Sequence, residues 1–209
     1  LHPRFVITAN HTGAGKTLVS AILSMGLGAH YWKPVQAGSD PETDSQFIQR
    51  VTQGRVTCHP ERHLLREPRS PHAAAAAEGI LLQPESWSPP SVDAPLVIEG
   101  AGGLMVPLRH DYLFADLLQS WQIPVVLVMH TYLGSINHTL LTAEALDRRG
   151  IPVAGMVVNE GGYPESAEVV LALTGLRQLG YVPSLTDLNA ATLEQVWQNH
   201  FQGPWQPRS

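Results

Sequence analysis

Residues 4–18 read Arg4-Phe5-Val6-Ile7-Thr8-Ala9-Asn10-His11-Thr12-Gly13-Ala14-Gly15-Lys16-Thr17-Leu18. The apolar start, 4–8, predicts a short buried strand, and 18–27 carries apolar residues at helical spacing. The segment between them, Thr12-Gly13-Ala14-Gly15-Lys16-Thr17, is the physical recipe for holding a polyphosphate. Glycines let backbone N–H groups turn inward around phosphate oxygens, and the helix N-terminus adds partial positive charge. Lys16 can reach the outer phosphates as a mobile point charge, and the Thr17 hydroxyl can ligate Mg²⁺. The competing reading is a plain strand-to-helix turn, which leaves Gly-Lys-Thr at the helix start unexplained. The usual pattern places glycine six positions before the lysine, where this chain has Asn10. Asparagine tolerates a left-handed backbone better than most residues, so closure of the loop at Asn10 is expected to use that conformation.

Working outward, strands are expected at 29–35, 96–99, 124–129, 152–159 and 178–182. Helices are expected at 43–52, 73–80, 114–121, 136–149, 165–175 and 193–200, with Gly150 capping one of them. Residues 56–71, rich in His, Arg and Pro, read as loop, 84–95 as a Pro/Ser-rich connection, and 202–209 as a poorly ordered tail. The run Pro124-Val125-Val126-Leu127-Val128-Met129 is apolar throughout, as a buried parallel strand is. Strands alternating with helices give an α/β fold: one domain over 1–209, a parallel sheet flanked by helices on both faces.

Composition agrees. The chain has 209 residues, of which 44% are hydrophobic, enough for one full core. Lys and Arg number 13 against 18 Asp and Glu, a formal charge of −5, so no basic footprint for nucleic acid is present. No apolar run reaches the ~20 residues of a membrane span. No secretory signal precedes the first strand, and the single cysteine, Cys58, excludes an intrachain disulfide, so a reducing cytoplasm is the expected compartment. Cys58 itself reads as a bland thiol, and the ten histidines lack zinc-site spacing.

Three further places carry chemistry. Glu99 ends a strand just before Gly100-Ala101-Gly102-Gly103, at the carboxyl edge where open parallel sheets bind ligands. It is a metal-ligand candidate, against an ordinary loop-capping acid. Asp44 follows Thr43 at a helix start and reads either as a metal ligand or as a charge stabilised by the helix dipole. Lys33, before Pro34, could neutralise a transferred phosphoryl group or a bound carboxylate, or simply be a solvated lysine. Ser70-Pro71-His72 reads on its own as a turn and helix start.

Taken together these pieces resemble one family. The loop at 12–17, Lys33-Pro34-Val35-Gln36-Ala37-Gly38, Thr43-Asp44-Ser45, Ser70-Pro71-His72, Glu99-Gly100-Ala101-Gly102-Gly103 with Val106-Pro107-Leu108, Leu133-Gly134-Ser135-Ile136-Asn137-His138, and Gly155 with Asn159 are similar to the dethiobiotin synthetases, in the family's order. The resemblance spans roughly 5–185. It implies a P-loop NTPase-type fold and a cytoplasmic homodimer with an active site shared between subunits. The implied reaction is ATP-dependent and uses Mg²⁺. CO₂ and 7,8-diaminononanoate (diaminopelargonate) are joined through a carbamate and a carbamic-phosphoric anhydride, the ureido ring closes, and ADP and phosphate leave. By the resemblance, Lys16, Lys33 and Thr12 act on the reacting groups. Gly13, Ala14, Gly15, Lys16, Thr17, Leu18, Asn159, Tyr181, Val182 and Pro183 hold the nucleotide, and Thr17, Asp44 and Glu99 hold Mg²⁺. Lys33, Ala37, Pro71, Gly102 and Gly103 line the diamine site. Leu133, Gly134, Ser135, Ile136 and Asn137, at a helix start, receive the distal carboxylate from across the dimer.

The match departs at three points. The family commonly has Gly-Thr-Asp-Thr where this chain has Ala9-Asn10-His11-Thr12, which puts a histidine beside the phosphates in place of an acid. Ala37 stands where the family often has serine, and the first crossover before Lys33 looks trimmed. The alternatives are a partition- or scaffold-type ATPase, which predicts a basic patch or amphipathic membrane tail, and a relative that binds nucleotide without turnover.

Overall fold

The alternating strands and helices assemble into one seven-stranded sheet in the computed structural model, which describes residues 2–201, 203 and 205. In spatial order the strands are β11 (Gln178–Val182), β10 (Val153–Asn159), β9 (Val125–His130), β1 (Arg4–Ala9), β6 (Leu96–Glu99), β2 (His30–Trp32) and β4 (Cys58–His59). Every neighbouring pair is parallel. All carboxyl ends therefore share one edge. The chain spreads from β1 toward β6 and β2 on one side and toward β9 and β10 on the other, which opens a crevice at that edge beside β1.

Side chains alternate across the sheet. Phe5, Ile7, Ala9, Tyr31, Val97, Val126 and Val128 face one core, closed by α1 (Lys16–Leu27), α2 (Asp44–Val51) and α7 (Ala190–His200). Val6, Trp32, Leu96, Ile98 and Val125 face the other, under α3 (Pro71–Ala77), α4 (Phe114–Trp121) and α5 (Ser135–Arg148). A third cluster, with Met129, Met156 and Val158, packs on Ala167 and Val170 of α6 (Glu165–Thr174). Burying each of these aliphatic side chains contributes roughly 1.5–3 kcal/mol, which makes the sheet a rigid platform for its edge.

Several expectations are corrected. The strand expected over 29–35 breaks at Lys33-Pro34, since proline offers no N–H for pairing. Its continuation, β3 (Val35–Ala37), pairs instead with β5 (His63–Leu65) in a separate parallel ribbon. The segment 56–71 is thus not all loop, because it supplies both β4 and β5. An antiparallel pair, β7 (Pro107–Arg109) with β8 (Tyr112–Leu113), follows the glycine turn and has no counterpart in the sequence reading. α3 starts at Pro71 rather than 73, α7 starts at Ala190 rather than 193, and Asn189 caps it by accepting from the Thr192 N–H at 3.1 Å. Part of the tail departs from expectation: Trp205 is buried against Phe5, Trp197 and Phe201. The rest of 202–209, apart from Gly203, lies outside the described residues.

Candidate active site

The phosphate loop joins β1 to α1, and glycine geometry shapes it. Gly15, the residue before α1, sits at φ +90°, and a Cβ there would stand 2.3 Å from Asn159 Nδ2. Only glycine meets both demands. The Asn159 side chain at the end of β10 donates to the Ala14 carbonyl at 2.9 Å and so ties the loop to the neighbouring strand. Asn10 behaves differently from expectation. It is not left-handed; the described non-glycine residues with positive φ are Gln53 and Gln122. Its side chain instead donates to the His130 carbonyl at 3.3 Å and to Thr139 Oγ1 at 3.1 Å, pinning the loop to β9 and α5. The loop closes through side-chain hydrogen bonds where the usual pattern uses a glycine.

The carboxyl edge gathers the charged groups. Lys16, Lys33 and Glu99 are all buried, which is rare for charged residues that lack partners. Glu99 Oε1 accepts from Thr17 Oγ1 at 2.9 Å and from Lys33 Nζ at 3.2 Å. Lys33 also pairs with Asp44. Glu99 Oε2 accepts from the Tyr31 hydroxyl at 2.9 Å. Asp44 opens α2, where Thr43 and Gln46 form a capping box, and the Asp44 N–H donates to Gln36 Oε1 at 3.3 Å. The break at Pro34 thus serves the site: it turns Lys33 between two carboxylates supplied by different elements.

The electrostatics follow from burial and pairing. Burial pulls the Lys33 ammonium down, but the Glu99 and Asp44 carboxylates outweigh it and hold the group above its ordinary value. Lys16 is lowered, chiefly by burial, with Glu99 opposing. Burial raises Glu99, with Lys33 opposing. For Asp44 burial acts upward, and Lys33 overcomes it to leave the carboxyl below its ordinary value. The Asp44 and Glu99 carboxylates that flank Lys33, with the Thr17 hydroxyl that donates to Glu99, make an all-oxygen donor set suited to a hard divalent cation. No group of three or more His, Cys, Asp or Glu among the described residues could hold a metal alone. A cation here would draw its remaining ligands from phosphate and water, as magnesium commonly does.

These residues line one cleft of about 790 Å³. Of the residues named from sequence, it brings together Thr12, Gly13, Gly15, Lys16, Thr17, Leu18, Lys33, Ala37, Asp44, Pro71, Glu99 and Gly102. Gly103 does not line it, and Ala14, within the loop, is buried. Asn159, Tyr181, Val182 and Pro183 lie beyond its wall, at the ends of β10 and β11, where Glu160 accepts from the Ser184 N–H at 2.7 Å. Leu133, Gly134, Ser135, Ile136 and Asn137 also stand apart, at the start of α5 past β9, with Leu133 82% exposed. Sequence reasoning missed Gln36, Phe47, Arg69 and Val106 in the lining, and Tyr31 behind Glu99. Gln36 sits inside the quoted Lys33–Gly38 stretch and could have been found; Arg69, in a segment read as loop, gave no signal.

His11 faces away from the cleft. Its ring stacks on His130 and tilts against Tyr132, with Nδ1 3.0 Å from Asn10 Oδ1. Burial first, then His130 and Lys16, lowers its pKa. Cys58 is half-buried, and burial pushes its thiol up to about 11, which removes it as a nucleophile. Among the described residues no helix is long and apolar enough to cross a membrane.

Comparison with known proteins bears on this geometry. The AAA domain family matches residues 3–192. The ATP-dependent dethiobiotin synthetase BioD of Agrobacterium fabrum is 46% identical over 199 residues, covering 95% of this chain and 94% of that protein. Its namesake from Brucella anthropi is 44% identical over 94% of this chain and 93% of that protein. Among solved structures, the septum site-determining protein MinD of Pyrococcus horikoshii, complexed with Mg-ADP, superposes with a TM-score of 0.56 at 13% identity, over 94% of each chain. A ParA family ATPase from Chlorobium tepidum gives 0.52 at 12%, over 95% of this chain and 92% of that one. The distant structures share the fold alone. The near-full-length relatives go further: at 44–46% identity over about 95% of its length, the chain belongs to the dethiobiotin synthetase family.

Proposed function

We propose that this chain is an ATP-dependent dethiobiotin synthetase of biotin biosynthesis, acting in the cytoplasm as a homodimer. The observation that carries the reading is the convergence of Lys16, Lys33, Thr17, Asp44 and Glu99 on one cleft beside the phosphate loop. Phosphoryl transfer asks a protein for position and charge neutralisation more than for covalent help, and these residues offer both.

In the proposed reaction one amine of 7,8-diaminononanoate attacks CO₂, giving a carbamate and releasing a proton. A carbamate oxygen then attacks the γ-phosphorus of ATP, and ADP leaves. The second amine attacks the carbonyl carbon of the mixed anhydride; phosphate departs, a proton is lost and the ureido ring closes. Lys33 and Lys16 flank the carbamate and the γ-phosphate and neutralise the charge that builds between them. Thr12, on the loop, hydrogen-bonds the carbamate or phosphate. Thr17, Asp44 and Glu99 are the residues that would hold Mg²⁺, which when bound neutralises phosphate charge. Gly13, Ala14, Gly15 and Leu18 cradle the phosphates, while Asn159, Tyr181, Val182 and Pro183 take the base. Ala37, Pro71 and Gly102 border the diamine.

The segment Leu133 to Asn137, exposed at Leu133, Gly134 and Asn137, suits a role across a dimer: it opens α5, where helix N-terminal N–H groups favour a carboxylate, yet stands outside its own chain's cleft. The test is ADP release from ATP and Mg²⁺ in bicarbonate buffer, with and without 7,8-diaminononanoate. Release that depends on the diamine supports the reading. Release indifferent to it removes the diamine as substrate.

A further inference from the structure

We propose that Tyr31 is a positioning residue: its buried hydroxyl fixes one oxygen of Glu99 and thereby presents the other to the cleft. The inference rests on the reading of Glu99 as a cation ligand. Tyr31 is 0% exposed and lies behind the cleft, whereas Thr17, Lys33 and Glu99 line it. The two oxygens of Glu99 are used differently. Oε2 receives the Tyr31 hydroxyl at 2.9 Å; Oε1 receives Thr17 and Lys33.

The sheet register makes this possible. Tyr31 of β2 pairs with Val97 of β6, and Glu99 lies two residues further along. Residues two apart share a face of a strand, so Tyr31 and Glu99 both project toward the α1 side. A tyrosine is long enough to span the diagonal to the strand end. A phenylalanine would fill the same space. What the oxygen adds is a donor for a carboxylate that is only 1% exposed. The terminal torsion of a glutamate is broad and roughly two-fold, so a carboxylate held only at the pocket side can rotate. A hydrogen bond to the rear oxygen removes that freedom. Contacts of this kind, one step behind a metal ligand, orient it and tune its affinity.

The experiment compares Tyr31→Phe and Glu99→Gln with the unaltered full-length protein. Mn²⁺ binding in the presence of ADP is followed by electron paramagnetic resonance, alongside the Mg²⁺ half-saturation of ADP release and the KM for the diamine. For Tyr31→Phe, the Mn²⁺ dissociation constant and the Mg²⁺ half-saturation should rise roughly tenfold while the diamine KM stays within about twofold, the split expected for a residue acting through a metal ligand. Unchanged Mn²⁺ binding in Tyr31→Phe, with binding lost in Glu99→Gln, overturns the role of Tyr31 and leaves Glu99 in place. Unchanged binding in both variants overturns the cation reading of Glu99 itself. A lowered melting temperature with all kinetic constants affected alike marks Tyr31 as core packing and overturns the inference.

Discussion

Thr17 and Glu99 stand 82 positions apart in the chain and meet at 2.9 Å, hydroxyl to carboxylate. The parallel pairing of β1 with β6 makes that contact: Ile7 lies opposite Glu99, and the loop leaving β1 returns Thr17 to the same edge in the first turn of α1. Lys33 reaches the same carboxylate from the end of β2 on the other side of β6. Three elements distant in sequence therefore share one acidic group, and removing it should fail in a specific way.

Glu99→Gln keeps the shape and removes the charge. It should lower turnover by about two orders of magnitude or more, the scale seen when a preorganised charge is removed from a reacting site. The folded state should persist, because Lys33 keeps Asp44 as its partner. Steady-state ADP release and a thermal melt check the two halves. Full turnover would exclude Glu99 from the site.

Asn159→Ala removes the hydrogen bond to the Ala14 carbonyl and frees the phosphate loop from β10. Nucleotide affinity, measured by calorimetry, should fall roughly tenfold, about 1.4 kcal/mol, in keeping with one buried hydrogen bond. Since Asn159 lies outside the cleft, the KM for the diamine should change little.

Asn10→Gly restores the residue that the usual loop pattern calls for, yet it should destabilise the protein. It removes bonds to the His130 carbonyl and Thr139 Oγ1 and adds freedom to the unfolded chain. A loss of about 1–3 kcal/mol in urea unfolding is expected. A gain in stability would mean that the loop is strained at Asn10.

Acidification should destabilise the fold through His11, His59 and His63. Burial is the main cause that lowers each of them below 6.5, with His130 and Lys16 adding at His11, His30 at His59 and Arg62 at His63. Between the lowered folded value and 6.5 the unfolded chain binds more protons, so stability rises with pH across that window and is lost below it. The melting temperature should drop as the pH falls through 6.5, and less steeply in His59→Gln. An unchanged slope in that variant would remove His59 from the effect.

Much of this was readable in the chain. The continuous apolar run of β9 and the Gly-Lys-Thr helix start declare a buried parallel sheet with a phosphate loop, because both patterns are local. Helix α4 and strands β6 and β11 fall at the expected residues for the same reason. What stayed hidden depends on pairing across distance. The Val35–Ala37 ribbon needs a partner 28 positions on, and 58–65 looks like loop because its strands are only two and three residues long. Asn10 was read by its backbone tolerance, while its side chain decides the geometry. Lys33 and Asp44, each ambiguous alone, become parts of one site once they are seen paired.

The most direct test of the account is the fate of labelled carbon. The protein is incubated with ATP, Mg²⁺, 7,8-diaminononanoate and isotopically labelled bicarbonate, and products are read by mass spectrometry. The account predicts labelled dethiobiotin formed in step with ADP, one for one. ADP formed without labelled ureido product would contradict it.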